Sequence, residues 1–320
     1  MKPVADYICC PRDHSDLRDV NGGLRCGSGH VYPVVEGVPV LLVEEDDPTG
    51  YVADTLRRVR SGTRFSAEPS EGVDSIVQQS IAATSGYLYR RSMGQLDHYP
   101  IPGFPFPDEA PGALLDVGAG WCRWTIAAAS VGFEPVAVDP SLDLLLAGVR
   151  ASRQLGIEIG AVAGAATSLP FKQGVFDASY SYSVFQAFDK REARRGFSEM
   201  ARVTRPGGDV IVQLINGFGA RAIMNHALQV LGVRDKGGFR TRYWTPHEMR
   251  TTFEETVGPT RLQVDSFFTQ ARQSDAEMMG LRGRTVLCGA TAAATLSNQI
   301  PWLRNFADNL FVKASVVGEP

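Results

Sequence analysis

The stretch Leu114-Leu-Asp-Val-Gly-Ala-Gly-Trp-Cys122 joins a short apolar run to two closely spaced glycines. Asp116 lies within that run, and Gly118 and Gly120 follow it. Glycines in this position let the backbone approach a ligand at the carboxyl edge of a parallel sheet. A helix is predicted to follow, and its first turn can donate backbone N–H groups to the same ligand. The stretch therefore predicts a strand, a ligand-binding turn and a helix.

A second acid follows at an informative spacing. Residues 135–138 are predicted to form a strand that ends at Asp139, and Ser141 is predicted to cap the helix 142–154. In nucleotide-binding folds, an acid about 20 residues beyond the glycine turn takes the ribose hydroxyls. A dinucleotide fingerprint would need a third glycine at position 123, which is Arg123 here. The pattern therefore favours a nucleoside-containing ligand that is not a dinucleotide.

The region around this stretch alternates between strands and helices. This alternation predicts an α/β fold with a mostly parallel sheet that is covered by helices on both faces. Two later apolar runs, 262–268 and 310–316, are predicted to pair as a hairpin at one edge of the sheet. The other predicted strands are 113–117, 135–138, 157–163, 176–181 and 210–214, and the predicted helices are 121–131, 142–154 and 197–204.

Further motifs continue the series that the first stretch begins. Asp177 and Ser181 frame one strand, and the turn Arg205-Pro-Gly-Gly208 precedes the next. Together with 114–122, these residues resemble the motifs of class I S-adenosylmethionine-dependent methyltransferases of the type 11-like group. The resemblance covers residues 73–256, most specifically 114–140 and 169–213. It implies an enzyme with a Rossmann-like seven-stranded sheet, helices on both faces and a reversed last hairpin.

The resemblance also implies which residues contact the cofactor, S-adenosylmethionine. Asp139 would hold both ribose hydroxyls, because a carboxylate accepts a hydrogen bond from each. Two departures from the family pattern are the third glycine, here Cys122, and the adenine-facing acid, here Ala165. The other implied contacts are Asp116, Gly118 and Gly120 at the methionine end, Ala165 and Ala166 at the adenine, Ser181 and Tyr182 beneath the cofactor, and Tyr89 or Arg91 at its carboxylate.

Two short segments near the N-terminus share the spacing C-x3-H. Cys10 and His14 form one pair, and Cys26 and His30 form the other. Two thiolates and two imidazoles make four ligands, the number that tetrahedral structural zinc takes, so no position is left open for catalysis. A block of about 40 residues has too small a core to fold well alone, and a metal would compensate. Asp13 is an alternative to His14, and a metal-free packing unit is an alternative to the zinc site.

The N-terminal block resembles the zinc domain of Trm112-like proteins and the N-terminal domain of some ribosomal RNA guanine methyltransferases. The shared features are Cys10-Pro11, Leu17 and the run Tyr32-Pro-Val-Val-Glu-Gly-Val-Pro39. Polar residues 61–72 and the proline-rich segment 100–111 flank a region of helically spaced apolar residues. The predicted domains are a zinc-ribbon-like β domain at 1–45, a linker and helical lid at 46–100, and the methyltransferase domain at 101–320.

Charge and composition narrow the expected partners. The formal net charge is −3 and the pI is about 6.0, so a surface devoted to nucleic acid is not expected. No secretory signal is visible and no apolar run is long enough to span a bilayer. Five cysteines, of which Cys122 and Cys288 stand alone, suit a reducing cytoplasm. We therefore expect a cytoplasmic enzyme of secondary metabolism, with a small-molecule or peptide acceptor and no membrane partner. The oligomeric state stays open.

Two other functions remain open at this point. An RNA methyltransferase of the ribosomal RNA guanine type would need a cationic surface shared by the N-terminal block and the pocket mouth. Arg57, Arg58, Arg60 and Arg64 could form such a strip, although charge runs of this kind are usually solvated helix faces. The other function is a non-catalytic cofactor-binding protein whose zinc domain docks a partner chain. Cys122 and Ala165 are its support.

The catalytic base is the least determined part of the site. Methyl transfer from a sulfonium is a direct displacement, so a base is needed only to deprotonate the acceptor. The candidate bases are His98, Tyr182, His226 and His247.

Overall fold

The computed structural model describes residues 2–45, 49–65, 72–85, 87–106, 112–230 and 241–318. Parts of the predicted linker and of the proline-rich segment lie outside these residues. The strands are β1 (Leu17–Val20), β2 (Gly23–Cys26), β3 (Val31–Val35), β4 (Val38–Pro39), β5 (Ala113–Val117), β6 (Glu134–Asp139), β7 (Gly160–Ala163), β8 (Phe176–Tyr182), β9 (Thr204–Ile215), β10 (Thr260–Ser266) and β11 (Asn309–Ser315). The α-helices are α1 (Tyr51–Arg60), α2 (Ser75–Thr84), α3 (Arg123–Ala129), α4 (Leu142–Gln154), α5 (Lys190–Val203), α6 (Ala220–Val230), α7 (Pro246–Thr256) and α8 (Leu281–Gln299).

The larger sheet has seven strands in the order β10-β11-β9-β8-β5-β6-β7. Neighbouring strands from β9 to β7 are parallel, and β11 is antiparallel to both β9 and β10. This confirms the predicted seven-stranded α/β sheet with a reversed last hairpin. The two strands of the hairpin are separated by residues 267–308, which contain α8.

Both faces of the parallel strands are buried, as their continuous apolar sequences require. Along β5, Leu115 and Val117 pack into one core cluster while Leu114 packs into another, because successive side chains point to opposite faces. Local hydrogen bonds determine where a helix begins. Asp189 and Glu192 form a capping box at the start of α5.

The N-terminal strands β1 to β4 form a separate antiparallel sheet that is joined to the edge of the larger one. Val40 forms a parallel bridge with Ala163 of β7, and the Leu41 N–H donates to the Ala163 carbonyl at 2.8 Å. On another side, the Tyr7 ring stacks on Phe176 with centroids 5.1 Å apart. The small sheet therefore shares its core with the larger sheet and covers the otherwise open edge of β7.

None of the helices among the described residues is both long enough and apolar enough to cross a membrane.

Candidate functional site

A cavity of about 520 Å³ lies at the carboxyl ends of the parallel strands, where open α/β sheets bind their ligands. Its floor comes from the segments that follow β5, β6, β7 and β8. Its cover comes from the ends of α1 and α2, through Tyr51 and Ser85 among others. The Ser85 hydroxyl accepts a hydrogen bond from the Trp121 indole N–H at 3.0 Å. The segment predicted to be a lid therefore contacts the floor of the cavity directly.

The glycine turn after β5 has the backbone conformation that its sequence predicts. Gly118 and Gly120 have φ values of +74° and +54° and both line the cavity. A Cβ at Gly118 would overlap the Val184 side chain. Cys122, at the third glycine position, also has a positive φ of 63°. Its side chain is fully buried in space left by Gly148 of α4, so this departure from the family pattern is accommodated by packing.

Asp139 lies at the cavity wall with its carboxylate held by two backbone groups. Oδ2 accepts from the Gly120 N–H at 2.9 Å, and Oδ1 accepts from the Ser141 N–H at 2.8 Å. Burial raises the pKa of Asp139 to about 6, against these two hydrogen bonds. The remaining lone pairs can accept hydrogen bonds from ligand hydroxyls.

Two of the predicted cofactor contacts do not line the cavity. Asp116 is buried behind it and accepts a hydrogen bond from the Thr125 hydroxyl at 2.6 Å, which ties β5 to α3. Burial raises the pKa of Asp116 to about 7. Ser181 is fully buried, and its hydroxyl donates to the Val117 carbonyl at 2.8 Å. The next serine, Ser183, lines the cavity instead, because the chain has left the strand by then.

Three further predicted contacts line the cavity as expected. Ala165 and Ala166 lie in the segment after β7, and Tyr182 ends β8. The Tyr182 hydroxyl donates to Asp265 at 3.1 Å and accepts from Arg272 at 3.1 Å. Burial raises the pKa of Tyr182, so its phenolate is disfavoured and this residue is a poor candidate for a base.

The expected carboxylate contacts, Tyr89 and Arg91, lie elsewhere. Arg91 is exposed, and Tyr89 is buried outside the cavity lining. Arg123 lines the cavity in their place. Its guanidinium donates to the Tyr89 hydroxyl at 2.7 Å and to Asp275 at 2.9 Å. One feature of the sequence points to Arg123: it lies in the first turn of a helix, where the helix dipole disfavours a positive charge.

A second buried ion pair lies next to the first. Arg272 pairs with Asp265 and lies 5.3 Å from the ring centroid of Trp124, within range of a cation–π contact. Both acids come from the region around β10 and the segment after it, for which the sequence carried no motif. Asp275 links this region to Arg123 at the cavity, and Arg272 links it to Trp124 and Tyr182.

The three histidine candidates for the base are exposed. His98 lies beside Asp97, with Nδ1 and Oδ1 2.5 Å apart, while His226 is on α6 and His247 is on α7. None of them is among the described residues that line the cavity. The polar side chains that do line it include Thr167, Ser183, Gln186 and Gln270, which sequence reasoning missed.

The N-terminal sheet brings four potential metal ligands together: Cys10, Asp13, Cys26 and His30. Their ligand atoms all lie within 4.8 Å of one another. His30 Nδ1 is 3.5 Å from the Cys10 sulfur and 3.2 Å from the Cys26 sulfur, and Asp13 Oδ2 is 3.8 Å from the Cys26 sulfur. Bonds of 2.0–2.3 Å to tetrahedral zinc imply ligand separations of about 3.3–3.8 Å, so the cluster has the size and donor types of a zinc site.

The cluster includes Asp13 and not His14, which was the predicted fourth ligand; which of the two binds a metal stays a prediction. His14 has a φ of 56°, is exposed and lies outside the cluster. The turn that follows Cys10 directs the Asp13 carboxylate toward His30 instead, with Oδ2 3.6 Å from Nδ1.

Comparisons with known proteins agree with this geometry. The methyltransferase domain family matches residues 114–208. A demethylmenaquinone methyltransferase of Mycolicibacterium gilvum is 45% identical over 100 residues, which are 31% of this chain and 40% of that protein. The corresponding enzyme of Renibacterium salmoninarum is 38% identical over 100 residues, 31% of this chain and 39% of that protein. The chain thus spans about two fifths of the length of these relatives.

A similar solved structure is phosphoethanolamine N-methyltransferase 2 of Haemonchus contortus, in complex with phosphomonomethylethanolamine and S-adenosylhomocysteine. It is 16% identical, with a TM-score of 0.50, over 78% of this chain and 61% of that one. This likeness concerns the fold alone. Residues 114–208 belong to the methyltransferase domain family, and the chain carries a class I S-adenosylmethionine-dependent methyltransferase domain.

Proposed function

We propose that the protein transfers a methyl group from S-adenosylmethionine to a small-molecule acceptor by direct displacement. The observation that carries this proposal is Asp139 beside the Gly118–Gly120 turn, in a cavity that also exposes Ala165. A carboxylate that already accepts two backbone N–H groups is oriented before the ligand arrives. Its free lone pairs suit the two hydroxyls of a ribose.

When bound, S-adenosylmethionine supplies a methyl group on a positively charged sulfur. Arg123 offers a guanidinium at the cavity wall to the carboxylate of the methionine portion. Trp124 and Tyr182 also line the cavity, with ring centroids 4.6 Å apart. Excluding water and orienting the acceptor supply much of the rate enhancement in such a displacement.

The acceptor is proposed to be a small molecule with an apolar body. The relatives of 38–45% identity are named for a quinone-type acceptor, and the lining of this cavity includes several aromatic side chains. A peptide acceptor and a role in secondary metabolism are compatible with the same lining. The buried, unpartnered amide oxygen of Gln186 is available to accept a hydrogen bond from the acceptor.

Neither alternative function gains support from the arginine strip or the glycine turn. Arg57, Arg58 and Arg60 pair with Asp54, Asp143 and Glu44, so acidic side chains lie among the arginines and lower the net positive charge of the strip. The non-catalytic function rested on Cys122 and Ala165. Cys122 packs without closing the cavity, and Ala165 lines it with a small side chain.

We further propose that Cys10, Asp13, Cys26 and His30 hold a structural zinc ion. Four protein ligands leave no open coordination position, so the ion would stabilise the N-terminal sheet and take no part in methyl transfer.

Calorimetric titration of S-adenosylmethionine and of NAD(H) tests the main proposal. We expect S-adenosylmethionine to bind the wild type, Asp139→Ala to lose that binding, and NAD(H) to give no heat. Asp19→Ala, an exposed acid of β1, is the matched control and should bind normally. A folded wild type that does not bind S-adenosylmethionine would overturn the proposal.

A further inference from the structure

Six large apolar side chains are exposed on one part of the surface. Their exposed fractions range from 49% to 62%, whereas such residues are usually buried. They come from the residues just before α6 and from the beginning of that helix, from the segment after β10 and from the segment after α8. We call this set the rim patch: Phe218, Ile223, Met224, Phe268, Trp302 and Phe306.

One buried acid joins the three segments that form the rim patch. The Asp308 carboxylate accepts from the backbone N–H groups of Arg221 and Phe268, both at 2.6 Å. The Asn216 side chain donates to the carbonyls of Asn305 and Ala307 at 2.7 and 2.8 Å. The segments that carry these apolar side chains are therefore neighbours in the fold. Contiguous exposed apolar patches mark interaction sites.

The rim patch lies close to the cavity. Gln270, two residues beyond Phe268, lines the cavity, and its side-chain amide donates to the Ser183 hydroxyl at 3.1 Å. Ser183 lines the cavity as well. An apolar molecule that leaves a partner bound at the rim patch would therefore pass only a few residues of the protein before it reached the cavity wall.

The charged residues around the rim patch indicate which kind of partner binds there. Residues 216–230 and 279–306 contain four arginines, including the exposed Arg221, and no acidic residue. The segment of Phe268, residues 267–278, adds Arg272, Asp275 and Glu277, so arginines outnumber acids five to two around the patch. A second copy of the chain docking face to face would bring these like charges together, which is unfavourable. An anionic lipid surface complements them, since apolar and aromatic side chains enter the interface while arginines reach the head groups.

We propose that the rim patch docks the protein on an anionic lipid bilayer and that the methyl acceptor is an apolar molecule taken from that bilayer. The second part rests on the proposed function. The expectation of no membrane partner was based on the lack of a spanning segment, which surface docking does not require.

Trp302 provides a built-in probe for this proposal. It is 62% exposed, whereas Trp121, Trp124 and Trp244 are at most 8% exposed. The full-length protein is mixed with vesicles of phosphatidylcholine alone or of phosphatidylcholine and phosphatidylglycerol in equal parts. We expect a blue shift of tryptophan fluorescence and co-sedimentation with the mixed vesicles, and much less of both with phosphatidylcholine alone.

Two variants test the assignment to this surface. Trp302→Ser with Phe306→Ser should lower partitioning into the mixed vesicles by about tenfold or more, because two aromatic side chains no longer leave water. Leu155→Ser, an exposed leucine outside the patch, should partition like the wild type. Thermal unfolding and calorimetry with S-adenosylmethionine verify that both variants are folded.

Three results would overturn the docking proposal: no binding to either vesicle, binding that the double variant leaves unchanged, or a dimer in solution that the double variant dissociates. The last would assign the patch to a second copy. Vesicle binding in a protein that fails to bind S-adenosylmethionine would leave the docking surface standing and remove the proposed function.

Discussion

The cavity and the Cys10–His30 cluster both gather side chains around a potential ligand, but they are built in opposite ways. The cavity is lined by residues from Thr49 to Gln270, mainly on the segments that follow four buried strands and at the ends of two helices. The cluster takes all four of its side chains from 21 consecutive residues, in short turns and at the end of β2. The cavity should therefore be sensitive to backbone changes, and the cluster to the loss of any single ligand atom.

The largest effect is expected at Gly118. Gly118→Ala should weaken S-adenosylmethionine binding more than about 100-fold. The new methyl group would overlap Val184, and an alanine in this left-handed backbone conformation would cost about 1–2 kcal/mol. Gly207→Ala is the control, since Gly207 has a φ of +75° with open space around it. It should lose stability but keep its affinity for the cofactor, as measured by calorimetry. Equal affinities for both variants would show that backbone shape does not dominate the cavity.

A second effect concerns the buried pair beneath the cavity. Arg123→Met should lower the free energy of unfolding by about 3 kcal/mol, because Asp275 then loses its charged partner in a buried site. It should also weaken cofactor binding, whereas Arg91→Met, at an exposed arginine, should change neither. Urea denaturation and calorimetry check the two parts. A loss of affinity in the Arg91 variant alone would restore the role that the sequence resemblance implied.

Substitutions at two adjacent positions, 13 and 14, test which of these side chains binds a metal at the Cys10–His30 cluster. Asp13→Ala should lower zinc affinity by at least about tenfold. Loss of a residue that only supports a ligand already lowers metal affinity by about this factor, and loss of a ligand should lower it at least as much. His14→Ala should bind zinc like the wild type, because His14 lies outside the cluster. Competition with a chromophoric chelator measures both affinities. If His14→Ala lowered zinc affinity and Asp13→Ala did not, His14 would be the ligand and Asp13 would not.

The smallest effect is that of pH. A fall in pH is expected to weaken cofactor binding but to stabilise the ligand-free protein. Because burial raises the pKa of Asp139 to about 6, its ionised form, the better acceptor for ribose hydroxyls, is lost as pH falls below that value. Cofactor affinity should drop about tenfold between pH 7 and pH 5. Asp139→Asn should bind weakly with little pH dependence.

In the absence of ligand, the same carboxyl should act on stability in the opposite sense. Its folded-state pKa is above the unfolded value, so the folded state holds the proton more tightly. Stability should therefore fall as pH rises from about 4 through 6. Thermal unfolding at a series of pH values, with Asp139→Asn as the reference, measures this contribution. A stability that rises across this window in the wild type alone would contradict the burial argument.

The strands, the glycine turn and Asp139 could be predicted because local sequence determines them. Continuous apolar runs and positive-φ glycines are short-range signals. The resemblance was less reliable for Asp116 and Ser181, because sharing a motif position does not determine whether a side chain faces the cavity. Arg123 and Asp275 are separated by 152 residues, so no spacing within the sequence could pair them. The choice between Asp13 and His14 depended on one left-handed residue in a turn.

The bridge between Val40 and Ala163 has a consequence for synthesis. The apolar side chains of Tyr7, Ile8 and Leu41 leave the ribosome long before Ala163 and Phe176, the residues against which they finally pack or pair. During that interval the N-terminal segment must stay exposed, bind a chaperone or take a temporary packing arrangement. The proposed zinc site at Cys10–His30 is local and would require none of the later chain. A metal could thus give the nascent segment its shape while it waits for its neighbour.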